Sequence, residues 1–287
     1  RCGLSYLGLR SLCSNVPGER GQVVAKLIAA SGLCSRRDAV RLVVDGRVEV
    51  NGKAVVEPGT RVGDADEVAV DGKVVEAPTH TVVIALHKPR EYITTSHDPA
   101  GRRTIYELLP NHWRQMRTVG RLDYMTEGLL LLTNNGALKR FLELPINAFQ
   151  REYLVRLHAA HAPISRESLA DLAMGITVKG ISYGPIGASL VDPRDHFTGP
   201  LPTGSGGETQ GGGRNNWATV TLHEGKNREI RRVMEHKGWQ VTRLIRIAYG
   251  PLRLGTLSSG NVLLCSSEQV SCLTKLMAKV EAGRGGV

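Results

Sequence analysis

VGRLDYMTEGLLLLTNNG, residues 119–136, joins a polar loop to an apolar segment. In the loop, Arg121 and Asp123 flank a leucine between two glycines, and four consecutive leucines then predict a buried strand. A carboxylate held on a loop beside such a strand is well placed to act as a nucleophile or a general base. A loop aspartate can also do no more than form a turn. The stretch therefore predicts a strand that presents a candidate catalytic carboxylate.

A second charged segment, EGKNREIRRVME at residues 224–235, has helical periodicity. On a helix, Ile230, Arg231 and Met234 share one face. An arginine on a partly apolar face requires an acidic partner. Asp123 would supply that partner, and the guanidinium would favour the ionised carboxylate. The alternative is that the arginines of this segment form a solvated basic face.

The chain from residue 81 to residue 265 is rich in strand patterns. These are TVVIALHKP, REYLVRLH, GPIGASLVD, NWATVTLHEG and QVTRLIRIAYG, and helical patterns cover residues 138–144, 165–174 and 227–236. Strands that outnumber helices and pair as hairpins favour a mainly antiparallel sheet that carries helices. The predicted fold class is therefore α+β. Residues 193–215 predict a flexible Gly-rich insertion, and residues 266–287 a C-terminal helix and tail.

Residues 22–75 predict a separate small α+β module, followed by a linker at residues 76–80. Two helical patterns precede a strand, an Asn-Gly hairpin turn and a return strand, and a second hairpin follows. The cations on the predicted helices are Lys26, Arg36, Arg37 and Arg41. A one-sided basic face favours contact with phosphates, and a merely solvated face is the alternative.

The composition indicates a polyanionic partner. Lys and Arg total 37 against 27 Asp and Glu, a formal net charge of +10, and nucleic acid is the usual partner of such a protein. Aromatic residues make up only 5% of the chain, which argues against a stacking platform of several aromatics. The longest apolar runs are too short for a membrane-spanning helix, so no membrane partner is expected. The five cysteines lack the spacing of a disulfide framework or a zinc site, and no metal is predicted.

Residues 1–21 differ in composition from the rest of the chain. They carry three arginines and several serines, with Glu19 as the only acidic residue. This composition is typical of the end of an organellar transit peptide, and an ordinary flexible leader is the alternative. We expect an organellar protein, with the mitochondrion favoured over the plastid.

Taken together, these segments resemble the RsuA/RluB-type ribosomal RNA pseudouridine synthases. GRLDYMTEGLLLLTNNG is similar to their catalytic motif G-R-L-D-x-x-T-x-G-L-L-L-x-T-x-D-G, with Asn135 where aspartate is commoner. LHKPREYITTSHDPAGRRTIYELLP is similar to their K-P-x-G strand and loop, with Glu91 in place of glycine. REYLVRL and EGKNREIRRVMEHKGWQVTRLIRIAYGPLRLGTL resemble two further motifs of the family. Residues 22–75 resemble the RNA-binding domain named after the fourth small-subunit ribosomal protein.

The resemblance implies an enzyme that isomerises uridine to pseudouridine and requires neither a cofactor nor a metal. It implies that Asp123 is the catalytic aspartate and that Arg121 helps to occupy the space left by the flipped base. It further implies that Tyr153 packs on the target uracil and that Arg231 pairs with Asp123. Other cations are candidates for RNA contact: Lys88, Arg228, Arg232, Arg243 and Arg246. Glu91 in place of glycine leaves the local loop geometry open.

Two functions remain open at this stage. The first is a site-specific pseudouridine synthase that acts on a single-stranded or loop uridine of ribosomal RNA, with the large subunit favoured by the wording NREIRR. The second is a ribosome-associated or ribosome-assembly RNA-binding protein that uses the synthase scaffold with little or no turnover. In either case the expected partners are ribosomal RNA and a ribosomal subunit or its assembly intermediate.

Overall fold

In the computed structural model, residues 21–76, 80–159, 162–197 and 215–284 of the 287-residue chain are described. The chain separates between residues 79 and 80 into two units. The leader predicted at residues 1–21 lies outside the described residues except for Gly21. Most of the predicted Gly-rich insertion and the centre of the predicted linker lie outside them as well.

The N-terminal unit is a small α+β module. Its elements are β1 (Gln22–Val23), α1 (Val24–Ala30), α2 (Arg36–Val44), β2 (Val48–Val50), β3 (Lys53–Val55), β4 (Arg61–Val62), β5 (Val68–Val70) and β6 (Lys73–Val74). The order β3–β2–β5–β6 forms an antiparallel sheet. Both hairpins turn at residues with left-handed backbone, Asn51 at φ 52° and Asp71 at φ 50°, each followed by glycine, as the turn chemistry predicts.

The helices of this unit pack on the sheet through their apolar faces. Helix α2 is capped by Ser35, whose hydroxyl accepts a hydrogen bond from the amide of Asp38 at 3.2 Å. The side chains buried between helices and sheet include Val24, Ile28, Ala39, Val43, Val48 and Val70. The four cations predicted to contact RNA, Lys26, Arg36, Arg37 and Arg41, are all exposed. The unit therefore buries its apolar faces and leaves basic side chains in solvent.

The C-terminal unit is built on one large sheet. Its strands are β7 (Val83–Lys88), β8 (Arg117–Val119), β9 (Glu127–Thr133), β10 (Arg151–Ala159), β11 (Ile176–Val178), β12 (Ile181–Tyr183), β13 (Gly187–Leu190), β14 (Asn215–Leu222), β15 (Trp239–Tyr249), β16 (Leu252–Arg253) and β17 (Val262–Leu264). Its helices are α3 (Gly136–Glu143), α4 (Arg166–Ala170), α5 (Glu229–His236) and α6 (Ser267–Arg284).

The order across this sheet, for the part of the chain described, is β13–β14–β10–β15–β9–β7–β17. Strand β16 pairs with β15, β8 pairs with β9, and β11 and β12 form a separate hairpin. Most neighbours are antiparallel, and β9 runs parallel to β15. The predicted α+β fold with a mainly antiparallel sheet is confirmed.

The four leucines of β9 are buried on both faces of the sheet. Leu130 and Leu132 pack in one apolar layer, which α5 covers, whereas Leu129 and Leu131 pack in the opposite layer together with α3 and α6. Successive residues of a strand point to opposite faces, so an uninterrupted apolar run is expected for a strand covered on both sides. Helix α6 joins the second layer through Leu273. No helix in the described ranges is long and apolar enough to cross a membrane.

Gly128 allows β9 to approach β15 closely. Its φ is +105°, and a Cβ atom placed on it would lie 2.3 Å from the carbonyl oxygen and 2.5 Å from the amide nitrogen of Arg246. The two residues are partners in the parallel pairing of the strands. Any side chain at this position would force the strands apart, because the atoms it would meet belong to the backbone.

We predict that Gly128→Ala lowers the free energy of unfolding by about 3 kcal/mol or more, because backbone strain and a steric clash act together. Gly101→Ala is the matched control, since Gly101 also has positive φ (+69°) but a Cβ atom placed on it would meet nothing within 4 Å beyond its chain neighbours. In the control, the free energy of unfolding should fall by only about 1–2 kcal/mol, because backbone strain acts without a clash. Urea unfolding followed by tryptophan fluorescence reports on the C-terminal unit, because the three tryptophans lie there. Equal losses in the two variants would contradict the close approach.

Candidate active site

A cavity of about 310 Å³ lies at the start of β9. Its walls come from the loop of residues 120–126, called here the aspartate loop, from β10 and β15, and from the segment that enters α5. The cavity is lined by Arg121, Asp123, Tyr153 and Arg231, among others. Residues predicted as catalytic from separate places in the sequence thus meet at one site.

Lys88 holds the aspartate loop through hydrogen bonds to backbone carbonyl oxygens. Its ammonium donates to the carbonyl oxygens of Asp123 at 3.0 Å, Thr126 at 2.8 Å and Pro89 at 3.0 Å. The side chain is fully buried, and this burial lowers its pKa to about 8, although the charges of Asp123 and Glu127 act in the opposite direction. The prediction that Lys88 contacts RNA is wrong, because a buried ammonium surrounded by carbonyl oxygens is inaccessible to a phosphate.

Two further contacts fix the aspartate loop. The amide of Gly120 donates to Glu143 Oε1 at 2.6 Å, which ties the beginning of the loop to α3. The hydroxyl of Thr94 donates to the carbonyl of Leu122 at 2.8 Å and accepts from the amide of the same residue at 3.2 Å. Together with the bond from Lys88 to the carbonyl of Thr126, these contacts fix the backbone on either side of Asp123 before any substrate binds.

Glu91 keeps the backbone conformation that a glycine would adopt. Its φ is +66°, and its amide donates to the carbonyl of Tyr124 at 2.8 Å. For a residue with a side chain, the left-handed backbone conformation costs about 1–2 kcal/mol of stability. Glu91 therefore occupies a backbone conformation that favours glycine, at the cost of local strain.

The guanidinium nearest to the Asp123 carboxylate belongs to Arg228. Its Nη1 lies 3.8 Å from Asp123 Oδ2. The predicted partner, Arg231, donates instead to the carbonyl oxygens of Met125 at 3.2 Å and Val241 at 3.1 Å. The predicted direct ion pair between Asp123 and Arg231 is therefore not formed. Backbone carbonyls of the aspartate loop and of β15 hold Arg231 beside the carboxylate.

Burial lowers the pKa of Arg231 below its ordinary value, and the neighbouring positive charge of Arg228 adds to this effect. The negative charge of Asp123 acts in the opposite direction. Both arginines thus share the field of one carboxylate, which leaves this wall of the cavity with an excess of positive charge.

Helix α5 begins later than the sequence pattern predicts. Arg228 has a left-handed backbone (φ 52°), so the first helical residue is Glu229. The Glu229 carboxylate is almost fully buried and accepts from the amide of Lys226 at 3.0 Å. Burial, with the nearby charge of Glu224, raises its pKa to about 7. The left-handed residue is what turns Arg228 out of the helix and toward Asp123.

Two arginines of β15 do not lie where RNA phosphates could reach them. Arg243 donates to both carboxylate oxygens of Glu127, at 2.7 and 3.0 Å, in a largely buried ion pair. Arg246 is only 2% exposed and donates through Nε to the carbonyl of Leu129 at 2.7 Å. Their assignment as surface phosphate contacts is wrong, because β15 is a central strand of the sheet. Arg246 nevertheless lines the cavity.

A groove of about 690 Å³ adjoins the cavity and shares Arg228 and Arg231 with it. Its other lining residues include Lys179, Arg232 and His236. Of the cations that the sequence predicts for RNA contact, Arg228 is exposed and Arg232 partly exposed. The hairpin residue Lys179 is missing from the predicted set, although a Lys-Gly pair between strand patterns is a turn signal that places a cation in solvent.

Other residues of the site are also absent from the prediction. Tyr124 and Met125 expose large apolar side chains, 42% and 37% accessible, directly beside Asp123. Arg151 and Tyr249 also line the cavity. The signal for Arg151 is its place two residues before Tyr153 in REYLVRL. Among the residues described, no group of three or more His, Cys, Asp or Glu side chains could hold a metal ion.

We predict that Glu91→Gly raises the free energy of unfolding by up to about 1 kcal/mol. The relief of left-handed strain, about 1–2 kcal/mol, exceeds the entropy cost of a new glycine, about 0.5–1 kcal/mol. The neighbouring substitution Arg90→Gly should only destabilise, since Arg90 lacks a positive φ. Denaturant unfolding of both variants checks this, and a loss of stability in Glu91→Gly would contradict it.

We predict a pH-dependent gain of stability for Glu229→Gln. The unfolded chain releases this proton near the ordinary pKa of 4.5, whereas the folded chain keeps it up to about 7. The folded state therefore binds more protons in that window, so this carboxyl makes the free energy of unfolding fall as pH rises from 4.5 through 7.

Above pH 7, Glu229→Gln should be more stable than the wild-type protein by a margin on the order of 2 kcal/mol, with no gain at pH 4.5. Glu235→Gln, at an exposed position of the same helix, is the control and should show no such difference. Urea unfolding at a series of pH values measures it. A constant difference across the whole range would show that burial of the charge is not the cause.

Comparison with known proteins identifies the relatives of both units. The family model described as RNA pseudouridylate synthase matches residues 82–236, and the S4 domain model matches residues 24–68. A protein of Rickettsia bellii named as an uncharacterised RNA pseudouridine synthase is 39% identical over 236 residues, which cover 82% of this chain and 93% of that protein.

A second relative is the ribosomal large subunit pseudouridine synthase B of Vibrio cholerae. It is 36% identical over 259 residues, which cover 88% of this chain and 74% of that protein. A solved structure, described as a pseudouridylate synthase, shares the fold with a TM-score of 0.58 at 22% identity over 88% of this chain and 99% of that chain. The chain therefore belongs to the RNA pseudouridine synthase family, in its RsuA/RluB-type branch with an N-terminal S4 domain.

Proposed function

We propose that this pseudouridine synthase isomerises one specific uridine of large-subunit ribosomal RNA, with Asp123 as the nucleophile or base. The observation that carries the proposal is the Asp123 carboxylate itself. This carboxylate is one-third exposed and lines a basic cavity. The loop that carries it is held by hydrogen bonds from Lys88. The name of the Vibrio cholerae relative supports the large ribosomal subunit as the source of the substrate.

The cavity suits a nucleotide that has left its stack. Extrusion of a uridine costs a few kcal/mol and is easiest in a loop or a single strand. The nearest cation to Asp123 Oδ2 lies 3.8 Å away, so the carboxylate can turn toward the ribose. It acts there either by attack on C1′ or by abstraction of the 2′ proton. In both routes the glycosidic bond breaks, the uracil turns, and its C5 becomes bonded to C1′.

Two further residues have roles in this scheme. Tyr153, which is nearly buried in the cavity wall, packs on the detached uracil and keeps it from diffusing away. Arg121, which is exposed at the cavity opening, helps to fill the space that the flipped base leaves in the RNA. The reaction is redox-neutral, and this scheme assigns no role to a cofactor or metal.

The RNA on either side of the target lies, in this proposal, along the basic groove next to the cavity. Its cations Lys179, Arg228 and Arg232 contact phosphates, and the S4-type unit contributes the exposed cations of α1 and α2. Affinity should therefore fall steeply as the salt concentration rises. A ribosomal subunit or an assembly intermediate presents the RNA.

We place the protein in an organelle, a mitochondrion in preference to a plastid, on the basis of the basic, serine-containing composition of residues 1–21. The substrate would then be organellar ribosomal RNA. Residues 22–75, 76–80 and 81–265 would serve as the RNA-binding module, the linker and the catalytic domain, with 266–287 as a C-terminal helix and tail.

The test is pseudouridine mapping of organellar ribosomal RNA from cells that carry only the wild-type protein, Asp123→Asn or Asp123→Ala. We expect one pseudouridine to disappear in both variants, because they remove the reacting carboxylate, while RNA binding by the purified proteins persists. Asp171→Asn, at an exposed carboxylate of the same unit, is the control and should leave the map unchanged. An unchanged map for the Asp123 variants, with RNA still bound, would favour the assembly or scaffold role instead.

A further inference from the structure

Two buried arginines line the cavity, and neither has an acidic partner among the described residues. Arg151 and Arg246 are 9% and 2% exposed, and both guanidinium carbons lie 5.1 Å from the centre of the Tyr249 ring. Arg151 donates to the Tyr249 hydroxyl at 3.2 Å and to the carbonyl of His223 at 3.4 Å. In the described part of the chain, neither forms an ion pair within 4 Å.

The Arg246 guanidinium has one N–H donor group without a partner among the described residues. Its Nε is occupied by the carbonyl of Leu129, but its buried Nη2 has no hydrogen-bond partner among the described residues. A buried donor is almost always paired in a folded protein, and leaving a charged donor unpaired costs several kcal/mol. Arg231 Nε and Arg243 Nη1 are also buried without a partner among the described residues, but of these three arginines it is Arg246 that both lines the cavity and pairs with Tyr153 across the sheet. A ligand in the cavity would supply the acceptor that Arg246 Nη2 lacks.

The position of Arg246 relative to Tyr153 indicates which part of the substrate this acceptor belongs to. The two residues are direct partners in the antiparallel pairing of β10 with β15. A uracil packed on Tyr153 would have an edge facing the neighbouring strand, and its polar edges carry the carbonyl oxygens O2 and O4. The phosphates of the RNA are assigned in the proposed function to the exposed Arg228 and the partly exposed Arg232, which leaves the buried Arg246 for the base.

We propose that Arg246 Nη2 donates to O2 or O4 of the target uracil and stabilises the negative charge that the base acquires during the reaction. When the N1–C1′ bond breaks, its electron pair stays with the uracil and spreads over N1, O2 and O4. The same pair is returned from C5 when the new C5–C1′ bond forms. C5 then releases its proton to water and N1 takes up a proton from water, so that the product is a neutral uracil ring bonded through C5. A preformed donor at a carbonyl oxygen lowers the barrier to both bond changes.

The surrounding residues keep the guanidinium in place. Arg246 is anchored through Nε, and the Tyr249 ring is fixed because its hydroxyl donates to the carbonyl of Leu142 at 2.7 Å. The Arg151 guanidinium carbon also lies 5.1 Å from the centre of the Tyr249 ring, and its hydrogen bond to the Tyr249 hydroxyl helps to hold that ring. Arg151 is therefore a positioning residue, whereas Arg246 touches the base.

This inference rests on the proposed function. Replacing O2 or O4 of the target uracil by sulfur tests the role of Arg246 separately from the proposed function. The substrate is the RNA fragment that mapping identifies, prepared with uridine, 2-thiouridine or 4-thiouridine at the target. The enzymes are wild type, Arg246→Lys and Arg243→Lys. Arg246→Lys keeps the positive charge but loses the forked donor set, and Arg243→Lys is the same change on the same strand outside the cavity lining.

We expect Arg246→Lys to slow single-turnover isomerisation of the uridine RNA by about 100-fold, with its dissociation constant for that RNA within about threefold of the wild-type value. For each enzyme we compare the isomerisation rate of a thio substrate with that of the uridine substrate. For one of the two thio substrates, this ratio should be at least about tenfold lower in wild type and in Arg243→Lys than in Arg246→Lys, which has already lost the hydrogen bond. Sulfur accepts hydrogen bonds weakly, and its intrinsic effect on the leaving base cancels when the ratios are compared.

Equal ratios in wild type and Arg246→Lys for both thio substrates would overturn the role of Arg246, with the proposed function untouched. A wild-type protein that does not isomerise the uridine RNA would overturn the proposed function, and this inference with it. Tryptophan fluorescence checks that the variant is folded. Should Arg246→Lys unfold, Arg246→Gln is measured in its place against Arg243→Gln, with the same ratios required.

Discussion

A buried ammonium determines the shape of the active site. Lys88, at the end of β7, donates to the carbonyl oxygens of Asp123 and Thr126 in the aspartate loop and so joins the loop to the sheet. Burial of a charge is unfavourable, and the carbonyl dipoles offset that cost only while the loop keeps this conformation. The Asp123 side chain is therefore presented by a backbone that cannot relax without leaving the lysine uncompensated.

The same region contains more positive than negative charge. Arg228 and Arg231 flank Asp123, while Arg151 and Arg246 line the cavity without an acidic partner among the described residues. Mutual repulsion of buried cations opposes folding, and the phosphates and carbonyl oxygens of an RNA substrate would relieve it. Packing of both sheet faces, with the four leucines of β9 at the centre, supplies stability that this arrangement requires.

Much of the site was predictable, and the errors have a common cause. The motif around Asp123 and the tyrosine of REYLVRL identified residues that do line one cavity. Lys88, Arg243 and Arg246 were assigned to RNA phosphates because they are cations in a basic protein. Charge alone does not distinguish a cation whose partners are buried groups of the protein itself from a cation that binds phosphates at the surface.

The sequence by itself determined the α+β class, the two units, the strand that follows the aspartate loop and the membership of a family. These features follow from local patterns of two to about twenty residues, which periodicity, turn chemistry and motif spacing reveal. Only the tertiary structure decided that Arg228 rather than Arg231 is nearest to Asp123, and that Arg246 faces Tyr153 with a donor that no described residue accepts. Both depend on a left-handed residue at a helix start and on the register of distant strands, which no local pattern specifies.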